Sequence, residues 1–200
     1  MNKLVLTMVS ALALSGCGGD YGTNAQDPAT DTGGESAATA ESTGAVGASV
    51  GALGNTADTY VANAAISDLY EIASSRMALE KASSPEVKAF ARQMIADHTA
   101  TSSQLKAAIA EGNMKRTVPT TPDERHQAML DVLKGQSGAA FDKAYLEQQT
   151  TAHEDALLLH GSYADDGENG ALKKLAAATA PKIQHHADML KKLMAAQTPS

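Results

Sequence analysis

Four residues that can bind a metal ion lie in the apolar stripes of four different predicted helices: Glu71, His98, His153 and His186. Imidazole nitrogens and carboxylate oxygens are ligands for zinc, copper and iron, and one carboxylate with three imidazoles suits a single ion. A leucine or a methionine would suit each position in a plain helical core, because an uncompensated buried charge is costly. The pattern therefore predicts one of two arrangements: a mononuclear site for a divalent transition metal, or a buried network of hydrogen bonds without a metal.

Four acidic residues are candidates for orienting these imidazoles: Asp68, Asp97, Asp142 and Glu154. A dinuclear carboxylate site is a further arrangement, and it needs Glu-x-x-His on two helices because that spacing puts both ligands on one face. Neither Glu147 nor Glu154 is followed by a histidine three residues later. Asp97 and His98 are adjacent, so on a helix they point about 100° apart. The sequence therefore argues against a di-iron oxidase.

The composition from about residue 57 to residue 196 predicts one all-α domain. This part is rich in Ala, Leu, Lys, Glu, Gln and Met, and it has no strand-like alternation. Long helices are predicted at about 57–82, 85–111, 139–162 and 171–196, with a short helix between the second and the third. We expect an antiparallel four-helix bundle, in which the central turns of the long helices lie at similar heights. The other histidines, His126, His160 and His185, are predicted to face solvent or the rim of the bundle.

Local signals set the ends of these helices. Ser84 suits an N-cap and Pro85 suits the first helical position, so the first two helices should form a tight hairpin. Thr121 opens a capping box for the short helix, which should close near Gly135. Pro181 lies inside the last helix and should kink it, because proline removes one backbone donor.

Cys17 is the only cysteine, and it follows Ser15-Gly16 and an apolar run that begins after Lys3. A charged start, an apolar stretch too short to cross a bilayer and small residues before a cut are typical of a signal peptide. The small pair before the cysteine resembles the lipobox of bacterial lipoproteins, at which the chain is cut and the cysteine receives lipid. We therefore predict a signal peptide over residues 1–16, with a lipid anchor at Cys17 that attaches the protein to a membrane.

A tether is predicted between the lipid and the helices. Residues 17–56 are mainly Gly, Ala, Ser, Thr and Asp, and residues 18–55 contain no Lys or Arg. Such a segment cannot bury enough apolar surface to offset its ordering entropy. The helical domain then covers residues 57–200, where acidic residues outnumber basic ones. No clustered basic face is visible, so nucleic acid is excluded as a partner.

Several ordered motifs resemble one family of exported bacterial proteins of unknown function. The motifs include Val87-Lys88-Ala89-Phe90-Ala91, Met94-Ile95-Ala96-Asp97-His98, Phe141-Asp142-Lys143-Ala144-Tyr145-Leu146, and Pro181 with His186. Members of that family are often labelled outer membrane proteins, and the resemblance covers residues 60–193. It implies a ferritin-like bundle in which Glu71, Asp97, His98, His153 and His186 are the family's polar positions. Asp68 and His185 depart from the pattern, which has a small residue and another polar residue there.

Two functions of different classes follow from these observations. The first is a non-catalytic envelope lipoprotein with a stress-related role and an envelope protein as partner. The alternative is a metal-binding module that stores, sequesters or oxidises zinc, iron or copper. Phosphate loops and serine-hydrolase elbows are absent from the sequence, which argues against an enzyme. Gly18 is not the aspartate that retains many lipoproteins in the inner membrane, so the outer membrane facing the periplasm is expected, with the cell surface as the other location.

The lipid anchor can be tested by labelling cells with a fatty acid and fractionating their membranes. The parent protein should carry the label, whereas Cys17→Ser should lose it and leave the membrane fraction, because the sulfur that takes the lipid is gone. Gly18→Asp keeps the sulfur and should keep the label. Equal membrane retention of Cys17→Ser would contradict the prediction.

Overall fold

Five α-helices make up the described part of the chain, and the prediction of an all-α domain is confirmed. The computed structural model describes residues 55–197. The helices are α1 (Ala57–Lys81), α2 (Pro85–Glu111), α3 (Glu124–Lys134), α4 (Gly138–Asp166) and α5 (Gly170–Gln197). No helix in this range is long and apolar enough to cross a bilayer. The predicted signal peptide, Cys17 and the predicted tether as far as residue 54 lie outside the described residues.

Four long helices form a bundle in which each helix packs against two others. α1 packs against α2 and α4, and α5 packs against α4 and α2. Tyr60 near the start of α1 bonds to His160 near the end of α4, whereas Ser75 near the end of α1 bonds to Tyr145 near the start of α4. α1 and α4 are therefore antiparallel, as are the helices of the hairpin α1–α2.

The connection from α2 to α4 crosses the length of the bundle. Because α2 and α4 are each antiparallel to α1, they run in the same direction, and residues 112–137 must return from one end of the bundle to the other. This connection contains the short helix α3, which packs against α1 and α4. Ferritin-like bundles have one long crossover of this kind. The ferritin-like relationship itself stays a prediction.

Side-chain caps explain where most helices begin. Ser84 accepts hydrogen bonds from the N–H groups of Glu86 and Val87, with Pro85 at the first position of α2, as predicted. The cap of α3 differs from the prediction, because Asp123 and not Thr121 accepts the hydrogen bond from the first turn.

The end of α4 differs from the prediction. α4 runs four residues past Ser162, because Tyr163 is buried and stacks on the ring of Tyr60 with centroids 4.1 Å apart. Pro181 lies inside α5, which has the predicted bounds within one residue, and the kink at Pro181 stays a prediction.

The core has an apolar cluster at each end and a polar layer in the middle. The cluster at the end where α1 begins includes Tyr60, Leu105 and Leu172, and the cluster at the opposite end includes Phe90, Phe141 and Leu190. Between them lies the central polar layer, whose buried members include Asp68, Glu71, His98, Gln149, His153 and His186. Every long helix contributes a residue to this layer, so the fold brings polar groups from four elements to one height.

Asp142 lies at one end of the bundle, where it holds the turn between α1 and α2. Its carboxylate accepts hydrogen bonds from the backbone N–H of Ser83 at 3.0 Å and of Ser84 at 2.9 Å, and also from the Ser83 hydroxyl. The prediction that Asp142 orients an imidazole is therefore wrong. A carboxylate at the start of α4 instead satisfies N–H groups that the extended turn leaves without helical partners.

Removal of this acceptor should destabilise the whole domain. Asp142→Ala leaves two backbone N–H groups without their acceptor, which should cost about 3 kcal/mol of unfolding free energy, or about 10 °C in melting temperature. Thermal unfolding followed by circular dichroism measures the change. Asp142→Asn keeps one acceptor oxygen and should lose less, and Glu154→Ala at an exposed position of α4 should change little. A melting temperature of Asp142→Ala equal to that of the parent would refute this role.

Candidate metal centre

Three histidines from three helices meet in the central polar layer. His98 lies on α2, His153 on α4 and His186 on α5, and their exposed fractions are 2%, 1% and 0%. One ring nitrogen of each lies within 4.8 Å of those of the other two. The ring centroids are 5.5 to 6.0 Å apart. The three residues, called the histidine triad below, are therefore neighbours in space although they are far apart in sequence.

Each ring of the triad is held on one nitrogen by a partner outside the triad. His98 Nδ1 lies 2.8 Å from a carboxylate oxygen of Asp68, and His186 Nε2 lies 2.9 Å from a carboxylate oxygen of Asp97. His153 Nδ1 lies 2.8 Å from the backbone carbonyl oxygen of Gln149. Carboxylate and carbonyl oxygens accept hydrogen bonds, so each of these nitrogens carries a proton and donates it.

The second nitrogen of each ring has no hydrogen-bond partner among the described residues. These atoms are His98 Nε2, His153 Nε2 and His186 Nδ1, and all are buried. In a neutral imidazole whose other nitrogen is a donor, such an atom is an acceptor with a free lone pair. Metal-ligating histidines have this arrangement, with the second nitrogen donating to a carboxylate or a backbone carbonyl. Nitrogens around a tetrahedral ion lie about 3.4 Å apart, so small side-chain rotations would close the triad on an ion.

Glu71 lies beside the triad and outside its group of neighbouring nitrogens. Its Oε1 is 3.7 Å from His153 Nδ1, and its buried Oε2 has no hydrogen-bond partner among the described residues. Burial raises the pKa of Glu71 to about 7, although His98 opposes the shift. The structure thus places the predicted glutamate next to three histidines and not in one ligand sphere with them.

The three imidazoles differ in their tendency to hold a second proton. Burial lowers the pKa of His153 to about 3, with a further contribution from His98, and burial also lowers the pKa of His186. Burial acts in the same direction on His98, but the hydrogen bond to Asp68 and the charge of Glu71 outweigh it, so its pKa is raised. His98 is therefore the ring of the triad that most readily carries a proton which an ion would have to displace.

Asp97 is the more exposed of the two carboxylates that hold the triad. Its side chain is 19% exposed, whereas that of Asp68 is 5% exposed. Partial burial alone would raise the pKa of Asp97. Hydrogen bonds from Gln93, His186 and Lys182 outweigh that effect and lower this pKa to about 2. Asp97 is therefore an anion at neutral pH.

Two of the four predicted supporting acids contact the triad, and two do not. Asp68 and Asp97 hold rings, whereas Asp142 lies at the end of the bundle. Glu154 is exposed on α4, because it directly follows His153 and therefore points about 100° away from the core. The contact of His153 with the Gln149 carbonyl group was not predicted from the sequence, although the spacing of four residues on one helix could have indicated it.

His160 is buried, so its prediction as a rim residue is wrong. It is 4% exposed, and its Nδ1 forms a hydrogen bond with the Tyr60 hydroxyl at 3.0 Å. The residue lies two turns after His153 on the same face of α4, a spacing that could have predicted burial. Burial lowers the pKa of His160 to about 4, with a smaller contribution from His98. His185 is exposed as predicted, and His126 is half-buried beside Asp123.

Comparisons with known proteins place the chain in a family and find related folds. Residues 42–193 match the family described as a domain of unknown function, DUF4142. No curated protein matches the chain. Among solved structures, CopM in the Cu(II)-bound form has a TM-score of 0.58 at 23% identity, covering 68% of this chain and 94% of that chain. CopM in the Ag-bound form has a TM-score of 0.59 at 22% identity, covering 72% and 98%. At this identity the likeness concerns the fold alone.

The buried histidines should make the domain sensitive to acid. A group whose pKa is lower in the folded state than in the unfolded state adds stability above its unfolded pKa and loses it as pH falls towards the folded pKa. For His160 this window runs from about pH 6.5 to about pH 4. His160→Gln keeps an acceptor for Tyr60 but does not titrate. As pH falls through this window in chelator-treated protein, the unfolding free energy of His160→Gln should decrease less steeply than that of the parent. The two slopes should differ by up to about 1.4 kcal/mol per pH unit.

Denaturant unfolding at a series of pH values measures that slope. His185→Gln is the matched control, because His185 is exposed and its replacement should leave the slope unchanged. A slope for His160→Gln equal to that of the parent would show that His160 does not titrate as its burial indicates.

Proposed function

The chain belongs to the DUF4142 family, and we propose that it is a metal-binding module that holds one transition-metal ion, copper above others, at His98, His153 and His186. The observation that carries the proposal is the set of three buried ring nitrogens that lack partners among the described residues. Buried polar atoms are nearly always hydrogen-bonded, and exceptions call for an explanation such as an ion. An ion shared by the three lone pairs accounts for all of them together.

The donor set favours certain metals. Calcium and magnesium prefer oxygen ligands, whereas imidazole suits zinc, copper, iron and nickel. Among divalent ions, affinity for such a site generally peaks at copper. The similar fold of CopM, which has been solved in Cu(II)-bound and Ag-bound forms, supports the same choice. We therefore place copper first, with zinc and iron as weaker competitors.

The proposed ligands are His98 Nε2, His153 Nε2 and His186 Nδ1. Asp68, Asp97 and the Gln149 carbonyl group would hold the rings in the orientation that presents these nitrogens. Glu71 would balance the charge of the ion from beside His153, since its carboxylate is buried and one of its oxygens has no partner among the described residues. The ion would supply a Lewis-acid or redox centre, and the residues would bind it and keep it from solvent.

The competing interpretation is a polar core that never holds a metal. Such a network would pair the donors and acceptors of the triad with one another at about 2.7 to 3.2 Å. One nitrogen of each ring is paired at such a distance, with Asp68, Asp97 or the Gln149 carbonyl group, but the second nitrogen of each ring is not. A metal ion would account for the paired and the unpaired nitrogens, whereas a network of hydrogen bonds accounts only for the paired ones.

The proposed role is binding without catalysis, in the cell envelope. The lipobox-like residues that end at Cys17 support export and attachment to the outer membrane, on its periplasmic side or at the cell surface. A module there could sequester copper before the ion reaches sensitive proteins. An envelope protein that delivers or receives the ion would be its partner.

Calorimetric titration of Cu(II), Zn(II) and Fe(II) into the chain, without a histidine tag, tests the proposal. We expect one ion per chain, with Cu(II) binding most tightly. His98→Ala should weaken binding by more than about 100-fold, the upper end of the loss seen when only an outer partner is removed. His185→Ala is the control and should bind as the parent does, because His185 directly precedes His186 but is exposed to solvent.

The same titration at several pH values should follow the protonation of His98. The pKa of His98 is raised, and metal must displace the proton of the imidazolium form, so affinity should fall about tenfold per pH unit below that pKa. Absence of saturable heat in the parent would remove the metal interpretation. Equal binding by parent and His98→Ala would remove this site.

A further inference from the structure

Carboxylates outnumber lysine and arginine side chains around the histidine triad. Asp68 and Asp97 each bond to a ring of the triad, and Glu71 lies beside a third ring. Lys182 offsets part of this charge, since its Nζ lies 3.1 Å from an Asp97 oxygen. Within residues 55–197, no lysine or arginine forms an ion pair with Asp68 or Glu71. The carboxylates of Asp68 and Asp97 therefore attract a cation held by the triad, and the attraction grows with the charge of the cation.

We propose that Asp68 and Asp97 make the triad selective for a divalent ion over a monovalent one, and therefore for Cu(II) over Cu(I) and Ag(I). This inference rests on the proposed function. Imidazole nitrogens ligate copper in both oxidation states, so the ligands alone set no strong preference. Coulomb energy is proportional to the charge of the ion, so a fixed carboxylate stabilises a dication twice as much as a monocation in the same place. Burial strengthens the effect, because salt screens interior charges less than exposed ones.

Asp68 should have the larger influence of the two. Its side chain is almost fully buried, and its carboxylate accepts hydrogen bonds from His98 at 2.8 Å and from the Ser102 hydroxyl at 2.9 Å. Asp97 is more exposed and is already paired with Lys182. Both aspartates are positioning residues, because they act on the ion through the rings of His98 and His186.

Ser102 separates the effect of charge from the effect of a hydrogen bond. Its hydroxyl orients Asp68 and carries no charge. Ser102→Ala removes the hydrogen bond and keeps the carboxylate, whereas Asp68→Asn removes the charge and keeps a side chain of nearly the same shape. A selectivity that arises from charge should respond to Asp68→Asn and not to Ser102→Ala.

The test compares the affinities of Cu(II) and Ag(I) by competition titration, in chloride-free buffer. The full chain carries Cys17→Ser in every sample, so that no free thiol competes for silver. Asp68→Asn should weaken Cu(II) binding by about 10- to 100-fold, the range for changing a residue that hydrogen-bonds to a metal-ligating histidine. Because Ag(I) carries half the charge of Cu(II), Ag(I) binding should weaken by about the square root of that factor, roughly 3- to 10-fold. Ser102→Ala should change both affinities by the same factor.

A second measurement on bound copper does not depend on silver. The same change in selectivity should raise the reduction potential of bound copper in Asp68→Asn by about 30 to 60 mV, since a tenfold ratio corresponds to 59 mV for a one-electron couple. Ser102→Ala should leave the potential within error of the parent. Cyclic voltammetry or equilibrium redox titration gives both values.

The reverse change in charge covers the case in which Asp68→Asn does not fold. Lys182→Met removes the offsetting cation and should increase the preference for Cu(II), whereas Asp97→Asn should decrease it. Opposite shifts from these two variants would support the inference. If all variants weaken Cu(II) and Ag(I) by equal factors, or if Ser102→Ala reproduces Asp68→Asn, the inference is wrong while the proposed site stands. If the parent binds neither ion, the proposed function itself is wrong.

Discussion

Three imidazoles are buried in the middle of this bundle, and the arrangement of the surrounding residues follows from the need to satisfy them. Apolar clusters lie on both sides of the central turns, and a buried polar group is costly unless it is hydrogen-bonded. Each ring therefore takes a fixed acceptor on its outer side. Fixing one nitrogen of a ring also limits the direction of the other, and the three nitrogens without partners among the described residues belong to rings that are neighbours in space. The same contacts that make the core stable thus create the arrangement that could receive an ion.

Helix α2 connects this arrangement to the rest of the bundle. Two adjacent residues on it, Asp97 and His98, point about 100° apart, and each reaches a different neighbouring helix. His98 bonds to Asp68 on α1, and Asp97 bonds to His186 on α5. The two contacts hold both neighbours of α2 at the height of the triad. The pairing of Asp97 with Lys182 adds a second link to α5 near the surface.

The spacing of apolar residues was sufficient to predict the faces of the helices but not the contacts between them. His98, His153 and His186 each continue an apolar stripe at steps of three and four residues, so their burial was predictable from the sequence. The partner of each ring depends on how far one helix slides along another, and a single stripe carries no information on that. The burial of His160 depends partly on the continuation of α4 past Ser162, because Tyr163 then stacks on Tyr60, whose hydroxyl bonds to His160. The role of Asp142 was not predictable from its own helix, because the N–H groups that donate to its carboxylate lie in the turn between α1 and α2.

The fold of this protein and the chemistry of its candidate site bear separately on which ion it could bind. Helical bundles of similar architecture host many functions, so a shared fold at low identity leaves the choice of ion to local residues. In the proposed site, three nitrogens would supply the lone pairs that bind the ion. The surrounding carboxylates would then set which charge of the ion is favoured, because they act at a distance without donating electrons to the ion. A relative could therefore keep the bundle and the three histidines, lose the buried aspartate beside His98, and differ in the oxidation state that it holds best.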